Sequence, residues 1–436
     1  MRAHGLGRFW PNYTFFGTEA RLFSLLDIQM RRVNPSRFRV ATRGTSREIN
    51  RSIVLNLVRS RQPISRADLA RAMDVRRGVV TLIVNDLLRE GLIFEGATGE
   101  TVRGRKPTFL YIDSRRRAVV AADIRASETF VMLADLLGTP MTGAISFPTV
   151  RDPKKQVALL AARVKALLAD HPEVDACEGV GVVVPGMVEH STMRVLHAPT
   201  LGWRNVDLRE ALAAATGLPV QIENSGRACA LAQAWAMRED HGGLAGDLVF
   251  ISISDGVGVG VMIHGEVLRG RHNIAGEFGH LPLSLDGPRC SCGSNGCWEA
   301  YVSNPATLGR YFGRPSDAQR PMPAEQRHFT VEDLIARARA RDAKASAALD
   351  STARYLGLGL SSVINVLDPA RVYVGGEITL AWDLIEPTVR AALAERALTP
   401  AAAATDIRPV AATEYPRLRG AAALVAAPAF AAPVVA

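Results

Sequence analysis

The sequence predicts an α/β protein of two layered lobes behind a small helical head, and three observations predict it. From residue 113 onward, apolar runs of strand length alternate with amphipathic stretches of helix length, the pattern of a layered α/β architecture. Residues 46–112 carry a different pattern, short helices followed by two strand-like runs. A glycine-rich segment then gathers three of the five cysteines within eight residues. With 436 residues, 48% of them hydrophobic and 22% charged, the chain is long enough for two or three globular domains.

Two classes of protein are excluded first. No apolar run reaches the roughly 18 residues that a membrane span requires. Residues 1–45 scatter Trp and Phe among arginines and lack the apolar core of a signal peptide. A cytoplasmic protein is expected, with residues 1–45 as a basic extension for which disorder is one reading. Charge is uneven along the chain. Residues 1–45 hold eight arginines against two acids, and residues 46–110 hold twelve basic residues against seven acids. Those give +6 and +5, which leaves −2 for residues 111–436 within the total of +9. A basic front on a slightly acidic body points to a polyanionic partner for the first quarter.

The head opens with Ile49, Ile53, Leu55, Leu57 and Val58 on a helix that breaks at Arg61-Gln62-Pro63. Ser65 then caps a helix with Asp68 at N3, running through Leu69, Ala70 and Ala72. A turn at Met73-Asp74-Val75 leads to a second helix, Arg76 to Glu90. Its inner face is Val79, Val80, Ile83, Val84, Leu87 and Leu88. Gly91 stops it, and Leu92-Ile93-Phe94 begins a strand that returns near Pro107-Thr108-Phe109-Leu110. Helix, turn, helix and two-stranded ribbon make a winged helix-turn-helix, whose second helix enters the DNA major groove. Arg66, Arg76, Arg77, Gly78 and Thr81 are then the candidates for base edges and phosphates. Arg103, Arg105 and Lys106 at the wing tip suit a narrow minor groove. A winged helix that binds protein is the alternative, and the concentration of positive charge favours DNA.

In the body, Ala118–Ile124, Thr129–Asp135 and Gly143–Pro148 read as strands. Pro153–Leu168 follows as an amphipathic helix with proline in its first turn. Gly179–Val184 is a buried strand, and Val220–Glu223 delivers Asn224 and Ser225 to a helix that runs through Trp235. Leu248–Ser254 and Val259–His264 look like a hairpin joined by the glycine-rich Asp255–Gly260. Helices at Val331–Arg341 and Ala343–Leu367 precede a strand at Arg371–Val374. The Ala/Pro-rich stretch after Ala421 reads as a frayed tail.

His280 and the run Cys290-Ser-Cys292-Gly-Ser-Asn-Gly-Cys297 supply three thiolates and one imidazole. That set satisfies a tetrahedral Zn²⁺ with every position filled, so the site is structural and holds no reactive water. A disulfide with a spare thiol, or three buried cysteines, are the alternatives. In a cytoplasmic protein, cysteines this close more often bind metal than cross-link. Cys177 and Cys229 sit in apolar surroundings and read as core fillers.

Taken together, Gly276-Glu-Phe-Gly-His280, the Cys-x-Cys-Gly-x-x-Gly-Cys-x-Glu motif ending at Glu299, Val183-Val-Pro-Gly186 and Ala198-Pro-Thr-Leu-Gly-Trp203 resemble the ROK family (repressors, open reading frames, kinases). So do Asn365-Val-Leu-Asp-Pro followed by Val-x-Val-Gly-Gly376, and Arg419-Gly-Ala-Ala. The resemblance spans roughly residues 46–425. It implies an actin-like, two-lobed sugar-kinase (ribonuclease H-like) body over residues 113–436, with its zinc motif at 280–297, behind a winged helix-turn-helix over 46–112. It implies that His280, Cys290, Cys292 and Cys297 hold zinc, and that Asn224, Glu277, His280 and Glu299 contact sugar hydroxyls. Carboxylates and amides suit that task because each exchanges two hydrogen bonds with neighbouring hydroxyls. Asn224 capping the following helix, and Glu299 pairing with an arginine, are the plainer roles.

Catalysis is not expected. Phosphoryl transfer needs a base for the sugar hydroxyl and backbone donors around the phosphates. Family kinases follow Glu-Asn with an aspartate, whereas this chain has Glu223-Asn224-Ser225. They open the domain with Asp-x-Gly-Gly-Thr, whereas this chain has Asp123-Ile-Arg125-Ala126-Ser127, and Val257 stands where a threonine is usual. The expectation is therefore a sugar-responsive regulator, most simply a repressor, working as a homodimer or homotetramer on an operator. Its effector would be a sugar or sugar phosphate. An active, glucokinase-like sugar kinase with an appended DNA-binding module is the alternative.

Overall fold

The head folds because its apolar residues recur at helical spacing around one small core. The computed structural model describes residues 43–98, 107–114, 116–237, 247–314, 323, 326 and 328–430. Helix α1 spans Arg43–Arg61. It buries Leu55 and Val58 together with Val54, while Ile53 keeps 39% of its surface exposed. Strand β1 (Ile64–Ser65) leads into α2 (Arg66–Ala72), where Ser65 and Asp68 close the expected capping box. Helix α3 (Arg77–Arg89) buries Val80, Ile83, Val84 and Leu87. Val79, assigned to the inner face from sequence, is instead 40% exposed, because a stripe centred on positions 80, 83, 84 and 87 leaves 79 at its margin. Strands β2 (Ile93–Thr98) and β3 (Thr108–Ile112) pair antiparallel, and β1 joins the other edge of β3. The end of the expected extension 1–45, Arg43–Thr45, is the start of α1, while residues 1–42 and the wing-tip residues Arg103, Arg105 and Lys106 lie outside the described residues.

In the first lobe, β4 (Arg117–Ile124), β5 (Glu128–Asp135) and β6 (Ile145–Pro148) form an antiparallel meander. Helix α4 (Pro153–Ala169) carries the chain to β7 (Ala176–Val184), parallel to β4. A small sheet of β8 (Met187–Val188), β9 (Val195–Ala198) and β10 (Trp203–Val206) precedes α5 (Leu208–Thr216). Strand β11 (Val220–Asn224) pairs parallel with β7 and ends at α6 (Ser225–Ala236). The sheet order is β11-β7-β4-β5-β6.

The second lobe repeats that plan. Strands β12 (Leu248–Ile253), β13 (Val257–Ile263) and β14 (Glu266–Val267) run antiparallel. Helices α7 (Glu299–Val302), α8 (Asn304–Tyr311), α9 (Val331–Arg339) and α10 (Ala343–Leu367) follow. Then come β15 (Arg371–Gly376), α11 (Trp382–Ala394), α12 (Pro400–Ala403) and β16 (Asp406–Val410), with β15 parallel to both β12 and β16. The order β14-β13-β12-β15-β16 reproduces the first sheet: a three-stranded meander with two parallel strands added beyond its first strand. This duplicated plan is the two-lobed, ribonuclease H-like body that the resemblance implies.

Two sequence expectations are corrected. The hairpin turn is confined to Ser254–Gly256; Gly258 and Gly260 lie within β13. Gly260 must be glycine because α6 crosses there: a Cβ on it would stand 2.1 Å from the carbonyl oxygen of Gly226. From Ala421 to Phe430 the stretch is no frayed tail, and residues 431–436 lie outside the described residues. The stretch belongs to α13 (Pro416–Phe430), which buries Ala421, Ala422, Ala423 and Ala426 completely. Alanine suits this place because a larger side chain would hold the helix off β4, β7 and α6, its neighbours. One apolar cluster runs without interruption from Val54, Leu55 and Val58 of the head, through Met132 and Val183 of the first lobe, to Leu418, Ala421 and Phe430 of α13. No helix among the described residues is long and apolar enough to cross a membrane.

Candidate functional site

The cysteine loop is shaped by tight backbone turns at Gly293 and Gly296, both at positive φ. A short 3₁₀ turn, Phe278–His280, brings the imidazole to it. The ligand atoms of His280, Cys290, Cys292 and Cys297 all lie within 4.8 Å of one another. His280 Nδ1 is 3.6 Å from Cys290 Sγ, and the sulfurs of Cys292 and Cys297 are also 3.6 Å apart. A disulfide needs about 2.05 Å, so none of these thiols is bridged. A tetrahedron with Zn–S bonds of about 2.3 Å has edges near 3.8 Å, close to the two 3.6 Å separations. Burial, aided by the hydrogen bond from Cys292 and the charge of Cys290, pushes the Cys297 thiol up to about 12. Thiols crowded this closely ionise readily only beside a cation. The cluster can hold a metal ion.

The cluster is tied to a carboxylate. Cys290 Sγ lies 3.5 Å from Glu299 Oε1, which also accepts a 2.7 Å hydrogen bond from Ser291 Oγ. Glu299 Oε2 accepts from the backbone N–H of Val257 at 3.0 Å, and a Cβ at Gly256 would come within 2.7 Å of it. Asn224 stands at the start of α6, the helix that packs on β13. Its Oδ1 caps α6, accepting from the N–H groups of Gly226 and Arg227, while Nδ2 donates to Gly186 O at 2.7 Å. The capping role weighed from sequence is therefore real, and one amide N–H is left for another partner. Glu277 is exposed at the start of the 3₁₀ turn, where Gly279 packs on the Val257 carbonyl. The first half of β13 thus meets Glu299, the Glu277–His280 turn and, through Gly226, the start of the helix that Asn224 caps.

Two charged networks escaped the sequence analysis. Buried Glu223 receives a 2.8 Å hydrogen bond from Arg269 Nη2, and Arg227 Nη1 lies 3.6 Å from its other oxygen. Arg227 Nη2 also donates to the carbonyls of Asn273 and Ala275, so the segment leading to Glu277 is strapped to α6. Further in, buried Asp123 pairs with Arg125 at 2.7 Å and faces Arg417 Nη1 at 3.7 Å. Burial opposes the charge of Arg417, but Asp123, Cys229, Glu377 and Asp255 outweigh it and raise its pKa. Asn304 Nδ2 orients Glu377 at 2.9 Å. An acid ending an apolar strand (Asp123, Glu223) and an arginine opening an alanine-rich helix (Arg417) were the available signals.

On the head, Arg76 occupies the position just before α3 without a side-chain capping bond, and Arg77 and Thr81 follow in its first turns, all three exposed. Thr81 Oγ1 donates to Arg77 O at 2.9 Å. Arg66 forms an ion pair with Glu95 and lies 3.4 Å from Asn85 Oδ1.

Comparison with known proteins gives four matches of different reach. The ROK family model matches residues 148–427. Over 359 residues the chain is 26% identical to the xylose repressor of Bacillus subtilis (strain 168), covering 82% of this chain and 89% of that protein. To the glucokinase of Streptomyces coelicolor it is 31% identical over 260 residues, covering 56% of this chain and 77% of that enzyme. In three dimensions it resembles the crystal structure of a ROK family transcriptional regulator, a homologue of the Escherichia coli MLC protein. That match has a TM-score of 0.73 and 27% identity, covering 88% of this chain and 97% of the other.

Proposed function

The chain belongs to the ROK family, and from that premise we propose that it is a sugar-responsive, DNA-binding transcriptional repressor whose kinase-like body binds a sugar or sugar derivative as effector. One observation carries the reading: the likeness to regulators extends over 82–88% of the chain, whereas that to the glucokinase stops at 56%. The remainder has room for residues 46–112, the head with its exposed arginines.

In this reading Asn224, Glu277, His280 and Glu299 engage sugar hydroxyls. Bound Zn²⁺ would hold the loop of His280, Cys290, Cys292 and Cys297 in one shape, a structural service. Glu299 would then be aimed by Ser291 Oγ and Val257 N–H, and Asn224 would offer its remaining amide N–H. The body does not phosphorylate the sugar: the buried Ser225 hydroxyl is neutral at pH 7, and a neutral hydroxyl is a poor base. Sugar occupancy is relayed along α6, about 18 Å long, which begins at the Asn224 cap and ends beside Trp235. The Trp235 ring lies 4.0 Å from the Arg59 guanidinium of α1, and its carbonyl accepts from Arg59 Nη1 at 3.0 Å. A sugar shifts operator affinity only by its differential affinity for the two arrangements of that joint. Two copies would place two α3 helices one DNA turn apart on a palindromic operator.

The test uses the full-length protein. Duplexes enriched from a random library are titrated by fluorescence anisotropy with and without a panel of neutral sugars and sugar phosphates. The expected result is a selected duplex whose affinity changes with at least one sugar. No enrichment, or enrichment indifferent to every sugar, would reject the proposal. The glucokinase likeness makes an active kinase the second reading; sugar-dependent ADP release abolished by Glu277→Ala would establish it.

A further inference from the structure

The exposed face of α3 has a composition that the head itself does not explain. Its centre is formed by Gly78, Leu82 and Asn85, spaced at helical intervals opposite the buried Val80, Ile83, Val84 and Leu87. Leu82 leaves 69% of its surface in water, and Val79 beside it 40%. Glycine is the poorest helix former after proline, yet a Cβ at Gly78 would meet nothing within 4 Å. Packing within the chain therefore demands neither the bare backbone at 78 nor the leucine at 82. Both make sense if another surface approaches α3 closely in its first turns.

The flanking chemistry identifies that surface. Arg76 and Arg77 are exposed at the helix start, the first turn carries no acid, and the open N–H groups of a helix N-terminus attract anions. An apolar protein partner would have to cover this charge; DNA neutralises it with phosphates. In the major groove the one apolar feature of a base edge is the 5-methyl group of thymine. Neither Gly78 nor Leu82 has a side-chain donor or acceptor, so these two positions cannot read hydrogen-bonding edges there, whatever Thr81 and Asn85 beside them contact. We infer that Leu82 reads thymine methyl groups of the operator, and that Gly78 is bare so that the first turn of α3 can come close enough for it to do so. This specificity element rests on the DNA-binding reading above.

The experiment starts from a duplex selected by the full-length protein from a random library, with each thymine then replaced singly by deoxyuridine, which lacks only the methyl. Wild type is expected to lose about fourfold in affinity at one or two positions, the equivalent of one buried methyl each. Leu82→Ala should bind the thymine duplex more weakly and no longer distinguish uridine at those positions. Its melting temperature should be unchanged, because Leu82 is exposed. Gly78→Ala should melt no lower than wild type, since alanine favours the helix, and yet bind at least tenfold more weakly. Wild-type indifference to every deoxyuridine, undiminished discrimination by Leu82→Ala, or wild-type affinity in Gly78→Ala would each overturn the inference while leaving DNA binding intact. Failure to select any duplex would remove the DNA-binding reading itself, and the inference with it.

Discussion

Single side chains carry most of what can be measured first. Arg76→Ala and Arg77→Ala should each weaken operator binding by about 1–3 kcal/mol for every base edge the guanidinium no longer reaches; anisotropy titration of the double variant decides, and unchanged affinity rejects the assignment. Asp68 yields a pH prediction with a definite sign. The Ser65 hydroxyl, then the Ser65 backbone N–H and Arg71, hold its carboxyl below the ordinary 3.8, against the opposing effect of burial. A depressed folded value means stability that is present above 3.8 and lost as pH falls through the folded value. Asp68→Asn should therefore melt lower than wild type at pH 7, with the difference closing as pH falls below 3.8 and through the folded value; a constant difference across that range would contradict the linkage. The cluster of His280, Cys290, Cys292 and Cys297 was legible because rare residue types stood at telling spacings, and the Asn224 cap because it stands between an apolar strand and a helix. Glu223, Arg227 and Arg417 were not, because a lone charge acquires meaning only from the partner the fold sets beside it.

Secondary-structure elements were legible where periodicity ruled. Helix α10 has the bounds its apolar pattern predicts, Ala343–Leu367, and the capping box at Ser65 marks α2. Reading failed where small residues signal close packing instead of looseness. Gly258 and Gly260 suggested a loop but lie in β13 beneath α6, and the alanines of α13 suggested fraying but are fully buried. Period alone does not separate a glycine that turns the chain from one that admits a neighbour. Gly260→Val, forced against the Gly226 carbonyl, should destabilise by about 3 kcal/mol or more; a urea midpoint within error of wild type would mean that α6 and β13 are not so closely apposed.

At the scale of the whole molecule, metal and joint come to the fore. Elemental analysis of the purified protein should find one zinc per chain, absent from Cys292→Ser; a metal-free, fully folded wild type would contradict the proposed site. Trp235→Ala should leave sugar binding intact, as read by thermal shift, but cut the coupling between sugar and operator from the usual range of about 1–3 kcal/mol toward zero; coupling equal to wild type would exclude the Arg59–Trp235 joint. The buried cluster that runs from Leu55 through Met132 to Leu418 bears on how such a protein can diversify. A reading head transplanted from a cousin would arrive with an apolar underside cut to another scaffold. New promoter targets are therefore more accessible by repainting the outward side of α3 than by exchanging whole modules, and laboratory chimeras should inherit α13 together with the head they borrow.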